Sequence, residues 1–361
     1  MTTTTTPPTT APGAPATAPT STELDGGTSA TVAAAPGPVR RDTGTMRAVV
    51  IERTGGPEQL TATRVPLPSR LASEVLVRVV AAGVDSVDAE CRAGRGDSAG
   101  IGAFPAVLGR CFSGVVVEGP YASHPLRPGD AVFGTTLSPR GSGSYAEHLT
   151  VPAMAVAHKP TSLSHVEAAA VPLAALTAWG MVVEVAKAHQ GQRILVQAAA
   201  GGVGHLAVQL ASHFGAHVVA VGSPSNAGWL RSLGADEVVD RSSTDLARTV
   251  RDVDVVLGLV DDVRVALASA ATLRRGGLLV HAPARSLPEV LAGAAATGVR
   301  ATGYEASPDA AALSVVARLL DAGDLSVHVD DVYALEDAAE AHARLERRHV
   351  RGRLVLAVSE E

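Results

Sequence analysis

The sequence is poor in the residues that mark several function classes. Of 361 residues only two are cysteine, Cys91 and Cys111, and neither belongs to a CxxC pair. A disulfide framework is therefore not expected. Aromatic residues make up 3% of the chain, so small aliphatic side chains must fill its core. Basic residues are outnumbered, giving a formal net charge of -6. With no basic stripe interleaved with aromatics, nucleic-acid binding has no support. No uninterrupted apolar run reaches the roughly 18 residues needed to cross a bilayer, so no membrane span is expected. The twelve histidines show neither HExxH nor another paired metal spacing, and they are read as non-ligands.

What remains, 46% hydrophobic and 18% charged, fits a soluble globular protein of one large or two medium domains. Residues 1–45 are Thr, Ala, Pro and Gly almost throughout. Such a segment cannot bury enough apolar surface to offset its ordering entropy, and it is read as a disordered tail. It lacks the basic start and apolar core of a secretory signal. The cytoplasm is the expected location, with an organelle transit peptide as the alternative.

From Met46 to about residue 165 the chain shows short β runs (48–52, 74–81, 114–117, 131–133 and 146–151) separated by Gly and Pro. These predict a compact β-rich domain. One or two helices are expected over 166–185. Strands at 193–197, 217–221, 237–239, 253–257 and 277–281 then alternate with helices at 202–214 and 227–233, the pattern of a parallel sheet covered on both faces. A last strand, 352–358, follows a helix at 335–347 and could return to the first domain.

The strongest motif starts at Ile194: ILVQAAAGGVGHLAVQLA. A strand runs into Ala199-x-Gly201-x-x-Gly204 and then into a helix read as amphipathic. Gly201, with Gly202 and Val203 beside it, lets the backbone approach a pyrophosphate, and Gly204 lets the helix pack tightly on the strand. The free N–H groups and dipole at the helix start favour phosphate charge. A plain tight turn is the bland alternative, but the strand-turn-helix context favours a dinucleotide. At the end of the second strand, where an NAD site usually places Asp or Glu, stands Ser223. A 2′-phosphate would meet no repulsion there, and Ser223, Asn226 and Arg241 are candidates to bind it. NADP(H) is the expected cofactor. Arg241 could equally be a solvated surface residue.

At this point the sequence resembles the zinc-free quinone oxidoreductase branch of the medium-chain dehydrogenase/reductase superfamily. The stretches that carry the likeness include AAGVDSVDAECRAG (81–94), PAVLGRCFSGVVVEG (105–119), RPGDAVFG (127–134), GSYAEHLTVPA (143–153), the glycine turn, LRSLGADEVVD (230–240) and HVRGRLVLAV (349–358). The resemblance implies an α/β protein: a GroES-like β-rich catalytic domain at 46–165, completed by 305–361, and a Rossmann doubly wound domain at 166–304. It implies an active cleft between them, a homodimer, a small-molecule substrate, and hydride transfer from NADPH to a conjugated C=C bond or a quinone. Zinc relatives carry Cys at the position of Asp85 and His-Glu at Arg110-Cys111, so no zinc site is expected here.

The chain also departs from the relatives it resembles. They usually have Asn at Asp85, Tyr at Glu90, Asp at Cys111 and Gly-Gly at Asp261-Asp262. Asp85, Glu90 and Thr177 are the catalytic candidates, and Arg353 is a candidate for reaching cofactor or substrate. Two carboxyls in one partly dry pocket resist joint ionisation, so one pKa in an Asp85–Glu90 pair is expected to rise and supply a proton. A solvated Glu90, or an ionised pair selecting a cationic substrate, is the alternative. For Thr177 the bland reading is a hydroxyl bonded to its own helix, and for Arg353 a surface cation. The altered pocket leaves two further readings open: a trans-acting enoyl or iminium reductase in a biosynthetic pathway, and a non-catalytic NADPH-binding sensor.

Overall fold

The computed structural model describes residues 44–242 and 246–360. The tail, apart from its last two residues, lies outside that range.

Two large sheets, with a smaller one of Thr45–Ile51, Thr61–Pro66 and Ala106–Val107, organise the described chain. The first has six parallel strands in the order Glu237–Asp240, His217–Gly222, Arg193–Val196, Val253–Gly258, Leu273–His281 and Arg300–Gly303. Its strands are dominated by Val, Ile and Leu because both faces are covered. The strand order reverses at Arg193–Val196, the position at which open α/β sheets bind ligands beyond their carboxyl ends. The glycine turn follows that strand directly. Strand Arg300–Gly303 has no counterpart among the expected elements, since RATG shows neither alternation nor an apolar run.

The second sheet is largely antiparallel and is built around the long strand Glu74–Val84. Strand Arg353–Ala357 pairs with its far end, Leu354 opposite Val84 and Ala357 opposite Ala81. The chain's last strand is therefore stitched onto one of its first. Helix Ala310–Ala322, by contrast, buries Ala312, Leu313 and Val316 in the core beneath the parallel sheet, alongside Leu206 and Val208.

That core is filled mainly by Ala, Val and Leu, as the scarcity of aromatics requires. Helix Gly204–His213 differs from the amphipathic reading: every residue from Gly204 to Ala211 is buried, the polar His205 and Gln209 included. Its second face packs against the crossing chain rather than water. Gln209 there donates to the Ser326 carbonyl (2.9 Å) and accepts from the Ser326 amide (2.8 Å). His205 places Nδ1 2.9 Å from the Gly201 carbonyl oxygen, and burial lowers its pKa to about 4, so it is neutral. Both polar side chains thus satisfy their hydrogen bonds inside.

Candidate functional site

The turn after Arg193–Val196 has the geometry that close approach to a ligand demands. Ala198 takes the left-handed conformation (φ 44°), and Gly201 N–H closes onto the Ala198 carbonyl at 2.8 Å. A Cβ on Gly204 would lie 2.2 Å from that same carbonyl oxygen and 2.7 Å from the Cα of Ala199, so only glycine fits. A Cβ on Gly202 would meet the side chain of Arg353, at 2.7 Å from its Cδ and 3.0 Å from Nη1. The Gly352 amide donates to the Ala200 carbonyl (2.9 Å). The last strand is therefore locked onto the turn, and Arg353 rests on it.

At the end of the second strand Ser223 precedes, and Asn226 ends, the short 3-10 turn Pro224–Asn226. Arg351 donates from Nε and Nη2 to Asn226 Oδ1 (3.0 and 2.8 Å) while its guanidinium stands 5.1 Å above the Trp229 ring. Arg241 Nη2 lies 3.0 Å from His349 Nε2. Two arginines, a histidine, an amide and a hydroxyl thus belong to one corner. Arg351 and His349 are not among the residues that the sequence singles out, although HVRGRLVLAV contains both; only their folding back beside Asn226 and Arg241 marks them. Counting along the chain also passes over Asp240, which register places opposite Gly222. Its carboxylate accepts from the Ser242 amide at 2.9 Å and is held below the usual range chiefly by that backbone bond.

The other wall of the site is a buried cluster of charges. Asp85 caps helix Ser86–Arg92 and is 5% exposed. Its Oδ2 accepts from Arg353 Nη2 and from the Cys111 thiol (3.5 Å). Burial alone would raise its pKa, but the Arg353 charge and hydrogen bond outweigh that and hold it below the usual carboxylate range. Asp88 behaves oppositely. It is 2% exposed, its Oδ2 accepts from the Asp85 amide and the Tyr145 hydroxyl (both 3.2 Å), and burial together with the Asp85 charge raises its pKa to about 7. Tyr145 also meets His342 Nε2 at 3.0 Å, where burial pushes the imidazole down to about 3.

The expected Asp85–Glu90 pair is not the pair that forms. Glu90 is bound by Arg95 through two hydrogen bonds (2.7 and 2.9 Å), and its carboxyl is lowered, first by that bond. The carboxyl with a raised pKa is Asp88. The physical reason is helical geometry: Asp88 reaches back to its own N-cap, whereas Glu90 projects towards solvent and a near cation. Thr177 Oγ1 donates to the Leu173 carbonyl (2.7 Å), the local bond its helix offers. Asp262 caps helix Val263–Ala270 by accepting from the Arg264 and Val265 amides, and Asp261 accepts from Arg285 Nε at 2.6 Å. These two acids therefore have local structural partners. Arg285 and Asp261 both contribute to the field at Glu90, so the replaced tyrosine and glycine positions lie within electrostatic reach of each other.

A zinc ion does not fit the donors at the position where zinc relatives bind it. The Arg353 guanidinium already holds Asp85 and lies 3.9 Å from Cys111 Sγ. Among the described residues no group of three or more His, Cys, Asp or Glu side chains could hold a metal.

Comparison with known proteins identifies the family. Residues 72–161 match the alcohol dehydrogenase GroES-like domain family, and residues 233–356 match the family described as zinc-binding dehydrogenase. The zebrafish (Danio rerio) mitochondrial NAD(P)H oxidoreductase RTN4IP1 is 30% identical over 88% of this chain and 92% of its own length. A 2-methylene-furan-3-one reductase of Solanum lycopersicum is 36% identical over 60% of this chain and 57% of its own length. Among solved structures, a quinone oxidoreductase from Coxiella burnetii superposes with a TM-score of 0.83 at 31% identity, covering 88% of this chain and 100% of the other. The chain belongs to the quinone oxidoreductase-like branch of the medium-chain dehydrogenase/reductase superfamily.

Proposed function

We propose that this oxidoreductase uses NADPH to reduce a C=C bond conjugated to a carbonyl, or a quinone, without zinc. The observation that carries the cofactor choice is the corner formed by Ser223, Asn226, Arg241 and Arg351, which offers cations to a 2′-phosphate. The turn Ala199–Gly204 would receive the pyrophosphate against backbone N–H groups and the helix start. The bound nicotinamide would supply the hydride. On the opposite wall Asp85 holds Arg353 against the turn, and Thr177 retains hydroxyl lone pairs to accept from a ligand. Glu90 is ionised beside Arg95 and shapes the field at the cleft rather than donating a proton. The substrate class follows the relatives: one is named for a quinone, another for a furanone bearing a conjugated methylene group. The charges of Glu90, Arg95, Asp261 and Arg285 favour a second reading, a trans-acting enoyl reductase whose substrate carries polar groups.

Fluorescence titration with NADPH and NADH tests the cofactor, and turnover of NADPH with a panel of quinones and enones tests the substrate. Equal or tighter NADH binding would remove the first claim, and binding without turnover would replace the second by a sensor. We further propose a homodimer in the cytoplasm, with domain limits near residues 165 and 304. The mitochondrial relative makes cell fractionation the check on location. Among the described residues no helix is long and apolar enough to cross a membrane.

A further inference from the structure

We propose that Asp85 competes with the cofactor for Arg353, so that dinucleotide binding releases the Asp85 carboxylate and draws a proton onto the Asp85–Asp88 pair. This rests on the dinucleotide reading above and adds to it a linkage between cofactor binding and proton uptake.

Arg353 stands between two anion sites. One is built: the Asp85 carboxylate, to which Nη2 donates. The other is the glycine turn, which the arginine side chain touches at Gly202, with Gly352 bonded to Ala200 beside it. The Arg353 Nε is buried without a hydrogen-bond partner, so the guanidinium has unspent donor capacity where it rests on the turn. A pyrophosphate on that turn would offer it two further charges and several acceptor oxygens. A pyrophosphate engaging that free donor capacity would draw the guanidinium towards the turn and share its single positive charge, weakening its hold on Asp85.

Drawing Arg353 away would leave Asp85 with little compensation. The groups that face it are few. On its own helix stands Asp88, of the same sign. On the strand Cys111–Glu118 stands the Cys111 thiol, a neutral donor at 3.5 Å. Arg110, just before that strand, adds a favourable charge but is itself paired with Asp97. Tyr145 reaches Asp88 and not Asp85. With Arg353 bonded to Asp85, burial and the Asp85 charge already raise Asp88 to about 7, so the pair carries only part of a proton at pH 7. With that arginine withdrawn, a buried pair shut off from water takes up a proton. The proton belongs to the pair rather than to either residue.

NADH is the cleaner probe. The 2′-phosphate of NADPH has its second ionisation near pH 6, and its own titration on binding would mask the effect. Calorimetric titration of the full chain with NADH at pH 7, in PIPES and in Tris, reads the number of protons bound from the dependence on buffer ionisation heat. Uptake of a large fraction of a proton is expected, and Asp85→Asn should abolish it. The same variant should bind NADH about tenfold more tightly, because the binding-competent arginine is no longer sequestered. No uptake by the native protein, uptake retained in Asp85→Asn, or unchanged or weaker affinity in that variant would overturn the proposal. Should Asp85→Asn not fold, Asp88→Asn decides: it keeps the ion pair but removes half of the proton-accepting pair, so uptake should fall, and unchanged uptake rejects the linkage. The ratio of NADPH to NADH affinity reads the Ser223–Arg351 corner separately, so failure of one reading is distinguishable from failure of the other.

Discussion

The two walls of the site solve the problem of holding charge in different ways. The parallel-sheet wall uses backbone: a left-handed Ala198, glycines that admit no side chain, and a helix start. Its charged side chains, Arg241 and Arg351, are offered from outside. The β-domain wall buries whole side chains, Asp85, Asp88, Arg92 and Arg353 among them, each less than 6% exposed. A backbone site is ready for an anion at little cost. A buried charge must be matched by another charge, and matching fixes pKa values as well as shape. The first wall is thus suited to binding, and the second to controlling where a proton resides.

The strongest test of this contrast is steric. Gly204→Val would force a side chain into the Ala198 carbonyl, with the Cβ alone 2.2 Å away. Overpacking of this kind costs about 1–3 kcal/mol, and a rigid backbone obstacle puts this case at the upper end. Loss of measurable dinucleotide binding and a Tm lower by several degrees are expected in calorimetry. A variant that binds as before would show that the turn's backbone is not what holds the cofactor.

Removing an offered cation should act more selectively. Arg351→Ala should weaken NADPH by about tenfold or more, the scale of a charge-assisted hydrogen bond, and leave NADH within about twofold in the same titration. Ser223→Asp should shift preference towards NADH, since a carboxylate repels a 2′-phosphate and accepts from a 2′-hydroxyl. Equal losses for both cofactors in Arg351→Ala would mean that its cation–π contact with Trp229 is purely structural.

The contrast also explains what can be read from the sequence. Strand, glycine turn and helix are contiguous over about twenty residues, and backbone function follows from residue type, so the turn is legible. Charge pairing is a property of folded distance. Asp85 meets Arg353 across 268 positions and Tyr145 meets His342 across 197, and no spacing rule connects them. Asp85 and Arg353 each stand out in the sequence, but as a carboxyl beside Glu90 and a surface or ligand-seeking cation. Asp88 looks like an ordinary polar position of a short helix. Only burial next to Asp85 raises its pKa, and the buried face of this seven-residue helix carries Asp88 and Arg92 beside Ala89 and Cys91, so no apolar stripe marks it in the sequence.

Asp88 makes the β-domain wall testable through pH. Its pKa is raised in the folded protein to about 7, from an ordinary value of 3.8. Between those values the folded state binds more protons than the unfolded one, so this group's contribution to stability falls as pH rises from about 4 to about 7. The slope is at most about 1.4 kcal/mol per pH unit. Asp88→Asn keeps an acceptor for the Asp85 amide and Tyr145, and should flatten the decline seen in chemical denaturation across that window. An undiminished slope would place the shift on another group.

The smallest effect is expected at Glu90, where the sequence alone invites the largest. A raised Glu90 would donate a proton, and its loss would slow turnover by about 10²-fold or more, the usual scale for a general acid. Its observed partner argues otherwise. Arg95 binds both carboxylate oxygens, at 2.7 and 2.9 Å, with both side chains about a third or more exposed. Such a pair is ionised at neutral pH and contributes about 0.2–1 kcal/mol to stability. The charge of Arg95 also cancels most of what Glu90 would offer a cationic substrate. Glu90→Gln should therefore leave kcat within about threefold and stability within about 1 kcal/mol. What it removes is one member of a four-charge group with Arg95, Asp261 and Arg285. KM for a charged substrate should therefore respond more than kcat, and should do so less at about 0.5 M salt, where the screening length falls to about 4 Å. If turnover instead slowed by the general-acid scale of about 10²-fold, Glu90 would have to part from Arg95 during the reaction, and the proton-donor role would return to it.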